Sequence, residues 1–162
     1  RPDSLPNIAF YLASSGRDST EVMWNWELQY LKKHPTIGPA KTFVISDADF
    51  EDFKQAVLKS GFKYDRESKK YLENLVKLAK FEGYYDDAKA EFEAIENKLK
   101  HNVAKDLDYN RDRIKQALAA DIVGVYYYQR GTIAYTLKHD KQMKAAKKLL
   151  GNMTEYRKIL NK

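Results

Sequence analysis

Apolar residues recur at steps of three and four along most of this chain, the spacing that lines one face of an α-helix. Val22, Trp26 and Tyr30 form one stripe and Trp24, Leu28 and Leu31 a second, which predicts a helix with a broad buried face. Asp18, Ser19 and Thr20 offer capping acceptors before it, Lys32, Lys33 and His34 suit its negative end, and Pro35 stops it. Residues 36–45 read as a connector that turns at Gly38-Pro39 and ends in a short extended piece, Phe43 to Ile45. Ser46 with Asp49 opens the next helix, in which Phe50, Phe53 and Val57 face one way until Ser60-Gly61. Asp65 opens another, striped by Leu72, Leu75, Val76 and Ala79 and ended or bent at Gly83. Tyr85, Ala88, Phe92, Ile95 and Leu99 then step as a seam that suits the preceding helix folded back as a hairpin.

The longest pattern runs from about Asp106 to Lys138 through Ile114, Leu118, Ile122, Val125, Ile133 and Leu137. Unbroken, such a helix would extend roughly 50 Å. Ala117, Gly124 and Gly131 fall seven apart on nearly one face, so either a neighbouring helix crosses there closely or the helix kinks. Helices around 141–150 and 154–160 finish the pattern. The predicted class is all-α: an irregular bundle of about six to seven helices with at least one antiparallel hairpin. Residues 1–17 carry Pro2, Pro6 and a Ser-Ser-Gly break, which predicts an extended arm, with residues 18–162 as the helical domain. Ile8, Phe10, Tyr11 and Leu12 are too apolar for such an arm to lie free in water.

Composition narrows the function more than it identifies it. The 162 residues are 43% hydrophobic and 13% aromatic, enough for a core without staples, and the absence of cysteine removes disulfides and thiolate metal sites. No apolar run reaches the ~18 residues of a membrane span. The net charge of +6 is concentrated: from His139 onward there are seven Lys/Arg against two Asp/Glu, while the preceding 138 residues hold 22 against 21. A basic terminal segment of this kind reads as a solvated helix face rather than a track for nucleic acid, and no nucleic-acid partner is expected.

Candidate chemistry is sparse. His34, His101 and His139 each sit near a predicted helix C-terminus, outside any ligand spacing, where the helix dipole favours them. The carboxylates Asp47, Asp49, Glu51 and Asp52, and Asp86, Asp87, Glu91, Glu93 and Glu96, fit solvated faces and N-terminal turns better than a catalytic pair or a calcium loop. Tyr126, Tyr127 and Tyr128 point about 100° apart on a helix, which suits packing with hydroxyls at the water boundary better than a base-stacking platform. Trp24 and Trp26 read as core. No catalytic, metal-binding or cofactor-binding residue is assigned, and no cofactor is expected. The stretch from Ala79 to Ala88 (AKFEGYYDDA) resembles half a tetratricopeptide repeat, and YYQRG at 127–131 echoes it. The two glycines lie 48 apart rather than one repeat period, so a stand-alone interaction module with such hairpins is the alternative reading.

Several longer phrases carry a resemblance: RPDSLPNIAFYL, KHPTIGPAKTFVISDADFEDFKQAV, SGFKYDRESKKYLENLVKLAKFEGYYDDAKAEFEAIENKLKHN and YYYQRG. Together they resemble the C-terminal region of bacterial carboxyl-terminal processing (tail-specific) serine proteases, across essentially the whole chain. The resemblance implies a PDZ-like module and a protease core upstream, with a Ser-Lys dyad located there and no counterpart among the residues of this sequence. It implies that residues 1–12 lead out of that core, and that the present chain is a noncatalytic accessory domain packing on the core or aiding substrate access or assembly. Implied partners are the upstream core and, beyond it, protein substrate or another protomer. The implied location is the cell envelope or periplasm.

Overall fold

In the computed structural model, residues 8–13, 21–100 and 102–160 are described, and these are helices joined by short connectors. The elements are α1 (Ile8–Ala13), α2 (Val22–Lys33), α3 (Asp47–Lys59), α4 (Glu67–Glu82), α5 (Lys89–Lys98), α6 (Val103–Tyr109), α7 (Arg111–His139), α8 (Lys141–Gly151) and α9 (Met153–Ile159). The all-α class is as the periodicity predicts. The described residues divide into two compact units. One comprises those up to Trp26 together with Ala48–Ile114, and the other Glu27–Asp47 with the chain from Lys115 onward.

In the first unit the buried side chains include Phe50, Phe53 and Val57 of α3, Trp26 of α2, Leu107 of α6 and Ile114 of α7. Trp26 meets Phe53 edge to face, centroids 5.4 Å apart, and its indole Nε1 donates to Asp52 Oδ2 at 2.9 Å. A buried tryptophan needs such an acceptor, because its N–H would otherwise lose water without replacement. Residues 8–13, read as part of an extended arm, instead form α1, which buries Ile8 and Leu12 and packs on α6. Both prolines of the segment precede α1, so neither breaks it, and Ile8 and Leu12 lie one turn apart. The remainder of that segment lies outside the described residues.

α4 and α5 pack on one another. Gly83 ends α4 in the left-handed conformation (φ 83°), and the amides of Tyr84 and Tyr85 both donate to the Ala79 carbonyl. Glycine tolerates that φ because it has no Cβ, and the turn supplies partners for a carbonyl the helix leaves open. Tyr85 stacks on Phe92 across the turn at 5.6 Å, with Lys80 Nζ 4.6 Å above the Tyr85 ring. Ile95 and Leu99 of the predicted seam are exposed.

In the second unit the buried side chains include Tyr30, Ile45, Leu118, Ala119, Ile122, Val123 and Tyr135. The continuous helix predicted over 106–138 is two helices, broken at Asn110, whose side-chain Nδ2 donates to the Asp106 carbonyl at 2.8 Å. α7 itself departs from helical geometry at Tyr128 (φ 55°, ψ −163°). The kink is the outcome of the two that Gly124 and Gly131 left open. A Cβ on Gly131 would stand 2.1 Å from Tyr127 Cβ, and one on Gly124 would stand 3.1 Å from Thr132 Oγ1. What comes close to these glycines is α7 itself, across its own bend. The kink also rotates the second half of the helix, which is why Ile133 and Leu137 are exposed while Tyr135 is buried. Trp24, predicted to be core, is exposed. The buried stripe of α2 passes through Val22, Met23, Trp26, Glu27 and Tyr30, leaving Trp24 on the opposite side.

Candidate functional site

The side chains flagged by composition are largely taken up by structure. Of the first acidic group, Asp52 accepts from Trp26, Glu51 pairs with Arg111 at 3.2 Å, and Asp47 pairs with Lys115 at 2.9 Å. Within the second, Glu93 approaches Lys89 at 4.0 Å, a helical i,i+4 pair. Among the described residues no group of three His, Asp or Glu side chains is placed to hold a metal ion. His34 stacks on Tyr30, centroids 4.1 Å apart, with its Nδ1 3.0 Å from the Tyr30 carbonyl, and His139 lies against Tyr135. His101 lies outside the described residues. The tyrosine run is divided. Tyr126 donates to the His34 carbonyl and Tyr127 to those of Ile37 and Gly38, so their hydroxyls clasp the 34–38 connector rather than meeting water alone.

Two features that the sequence reading did not single out stand apart. The first is a groove of ≈ 220 Å³ in the first unit, between the start of α4 and the end of α5. Leu72 and Leu99 contribute apolar surface to its lining, together with the cations Arg66, Lys69 and Lys100 and the carboxylates Asp65 and Glu96. Arg66 donates to the Leu99 carbonyl, tying the loop before α4 to the end of α5. Tyr64, at its edge, donates to Asp106 Oδ2 at 3.0 Å. Burial and that hydrogen bond to Asp106 hold its hydroxyl above the usual phenol range. The lining carries no serine, threonine or histidine, and what it offers is packing and charge of both signs.

Beside it runs an uncovered apolar stripe. Tyr71, Leu75 and Leu78 of α4 lie at i, i+4 and i+7 and are all exposed, as are Phe81, at 89%, and Tyr84. α4 packs inward instead through Leu72, Val76 and Ala79, about a quarter-turn around the helix. Isolated exposed apolar residues are ordinary, but a continuous stripe of large ones marks a surface made for contact.

The second feature is a carboxyl pair in the second unit, Glu27 of α2 with Asp121 of α7. Glu27 is only 5% exposed, and its Oε1 has no hydrogen-bond partner among the described residues. Burial, then the negative charge of Asp121 and the hydrogen bond to it, push the Glu27 carboxyl up to about 8. Asp121 is raised by burial too, while the bond from Glu27 opposes that rise. These signs describe a protonated Glu27 donating to an Asp121 carboxylate, two acids sharing one proton. The sequence held a signal for it: Glu27 occupies an apolar position of the α2 stripe, where a carboxylate cannot be left ionised without a partner.

A family model described as "Probable PDZ-protease, C-terminal helical domain" matches residues 10–150. No curated protein and no solved structure matches the chain.

Proposed function

This chain belongs to the family of C-terminal helical domains of probable PDZ-proteases, and from that membership we propose a noncatalytic accessory role. The domain packs on the protease core of its own polypeptide through the α4 stripe of Tyr71, Leu75, Leu78 and Phe81. The observation that carries this reading is the stripe itself: large apolar side chains in helical register, each half or more exposed. By the resemblance, peptide-bond cleavage falls to an upstream core, with a serine and a lysine as nucleophile and base. The same resemblance supports a parent that works in the cell envelope on exported proteins.

The test uses the full-length parent and the isolated 162-residue chain. The isolated chain is expected to show no peptidase activity, and the parent to show it. Leu75→Asp with Leu78→Asp should leave the helicity of the isolated chain unchanged and lower the parent's activity or thermal stability. Robust cleavage by the isolated chain ends the proposal, and a parent indifferent to the double variant removes the α4 stripe from it. A second reading rests on the α4–α5 hairpin, whose Gly83 turn and Tyr85–Phe92 stack resemble repeat modules that grip other proteins. Recovery of a stable partner by the isolated chain, lost in the same double variant, favours that reading.

A further inference from the structure

Helices α8 and α9 are both amphipathic, and within them lysine and arginine outnumber acids six to one. On α8, Lys144, Lys147 and Lys148 share one stripe, and Met143, Ala146 and Leu150 share another centred about a third of a turn away, with Lys147 at the boundary between them. On α9, Met153, Tyr156 and Leu160 follow the i, i+3, i+7 spacing with Ile159 beside them, and Arg157 and Lys158 lie outside that face. The two acids of the segment serve helix starts. Asp140 accepts from the amides of Gln142 and Met143, and Glu155 accepts from Asn152 Nδ2 while Asn152 accepts from the Glu155 amide.

Although α8 and α9 pack on one another, they leave a large apolar surface open. Met143, Leu149 and Tyr156 are half-buried, but Leu150, Met153, Ile159 and Leu160 remain 58%, 51%, 60% and 47% exposed. Leu150 and Met153 flank the junction of the helices, and Ile159 and Leu160 lie at the end of α9. None of Lys144, Lys147, Lys148, Arg157 and Lys158 makes an ion pair with a described residue.

We propose that α8 and α9 form a surface-binding element that lies on an anionic phospholipid leaflet. The apolar junction enters the headgroup–acyl boundary, and the lysines and Arg157 reach lipid phosphates from its margin. Charge complementarity and apolar exposure coincide on this surface. A helix meant only for solvent has no use for four open large apolar residues. A phosphate track on nucleic acid would use the cations and leave those residues idle. A second copy of the same surface would bring five cations against five, a like-charge contact that opposes pairing. An anionic leaflet satisfies both halves at once, because long lysine and arginine stems lie along apolar surface while their heads stay among headgroups. No described helix is long and apolar enough to cross a membrane, and none is required for this mode. The proposal stands independently of the accessory role, since it concerns neither α4 nor a protease core.

The experiment is co-sedimentation of the intact 162-residue chain with vesicles of phosphatidylcholine alone, or containing about one-third phosphatidylglycerol. Binding is expected to the anionic vesicles and to weaken steeply as salt shortens the screening length from ~10 Å toward ~3 Å. The triple variant Lys144→Gln, Lys147→Gln, Lys148→Gln should lower partitioning about a hundredfold, from a factor of about five per lysine near a charged leaflet. Leu150→Ser with Ile159→Ser should lower it about tenfold or more while circular dichroism stays unchanged. Absence of binding to anionic vesicles, or equal binding to both compositions, overturns the proposal. So does a charge variant that loses binding while the apolar variant keeps it, particularly if duplex DNA is retained in the same pattern, which would mark a polyanion site. Light scattering that shows a dimer dissolved by the apolar variant would assign the surface to self-association instead.

Discussion

Replacing Glu27 by glutamine should make the chain more stable in mild base and flatten its response to pH. Unfolded, the carboxyl ionises near 4.5; folded, it holds its proton up to about 8. Between those values the folded state binds more protons than the unfolded state, so stability falls as pH rises. The sign is that of any group whose folded pKa is raised: its contribution is fully present below 4.5 and is lost by the time pH passes 8. At about 1.4 kcal/mol per unit, the loss is about 3 kcal/mol at neutral pH and at most about 5 kcal/mol above pH 8. Glutamine has nearly the same shape, stays neutral, and can donate its amide to Asp121. Urea unfolding followed by circular dichroism from pH 5 to pH 9 should give a wild-type midpoint that falls across this range. The variant's midpoint should hold level, with the curves separating most at pH 9. If the two midpoints fall in parallel, Glu27 is not the titrating group and the shared-proton description of the pair is wrong.

Other consequences are as direct. Tyr128 is 78% exposed and sits in a backbone region that disfavours side chains, so Tyr128→Gly should raise the melting temperature, relieving about 1 kcal/mol or more of strain. Gly131→Ala should lower stability in urea unfolding by about 1–3 kcal/mol, because the added carbon meets Tyr127 Cβ, an atom too close to the backbone to move aside. Phe53→Ala, at a fully buried ring that also supports Trp26, should cost about 3–5 kcal/mol in urea unfolding. Breaking the Lys54–Asp108 pair with Asp108→Asn should change stability by no more than about 1 kcal/mol, since Asp108 is half exposed and water competes for both charges.

The helical class and several helix limits were legible because they depend on local spacing and on residues such as Ser46 before α3, Pro35 after α2 and Gly83 after α4, whose conformational effects act within one turn. Phe50, Phe53, Val57, Ile114, Leu118 and Ile122 were identified as facing inward by period alone, and all are buried. What was not legible depends on partners distant in sequence. Trp24 and Trp26 are chemically alike, and only Asp52 and Phe53 decide which of them is enclosed. The place of Glu27 in the α2 stripe is a local signal, but its partner Asp121 lies too far along the chain for any pattern to name. The groove between Arg66 and Leu99 arises where two helix ends meet, which no single-helix pattern encodes. The break at Asn110 was hidden because the apolar period continues across it, and the kink at Tyr128 because the two glycines were compatible with either of two outcomes.

The bend at Tyr128 also uncouples the two halves of α7 in rotation. In a straight helix, one added or lost residue turns everything beyond it by about 100°. Here the angle at which the later half leaves is set at the bend, so its side chains need not keep step with Ile114, Leu118 and Ile122. The segment carrying Ile133, Tyr135 and Leu137 is thus free to drift in length and composition under its own constraints. The clasp of Tyr126 and Tyr127 on the 34–38 connector holds the earlier half in place.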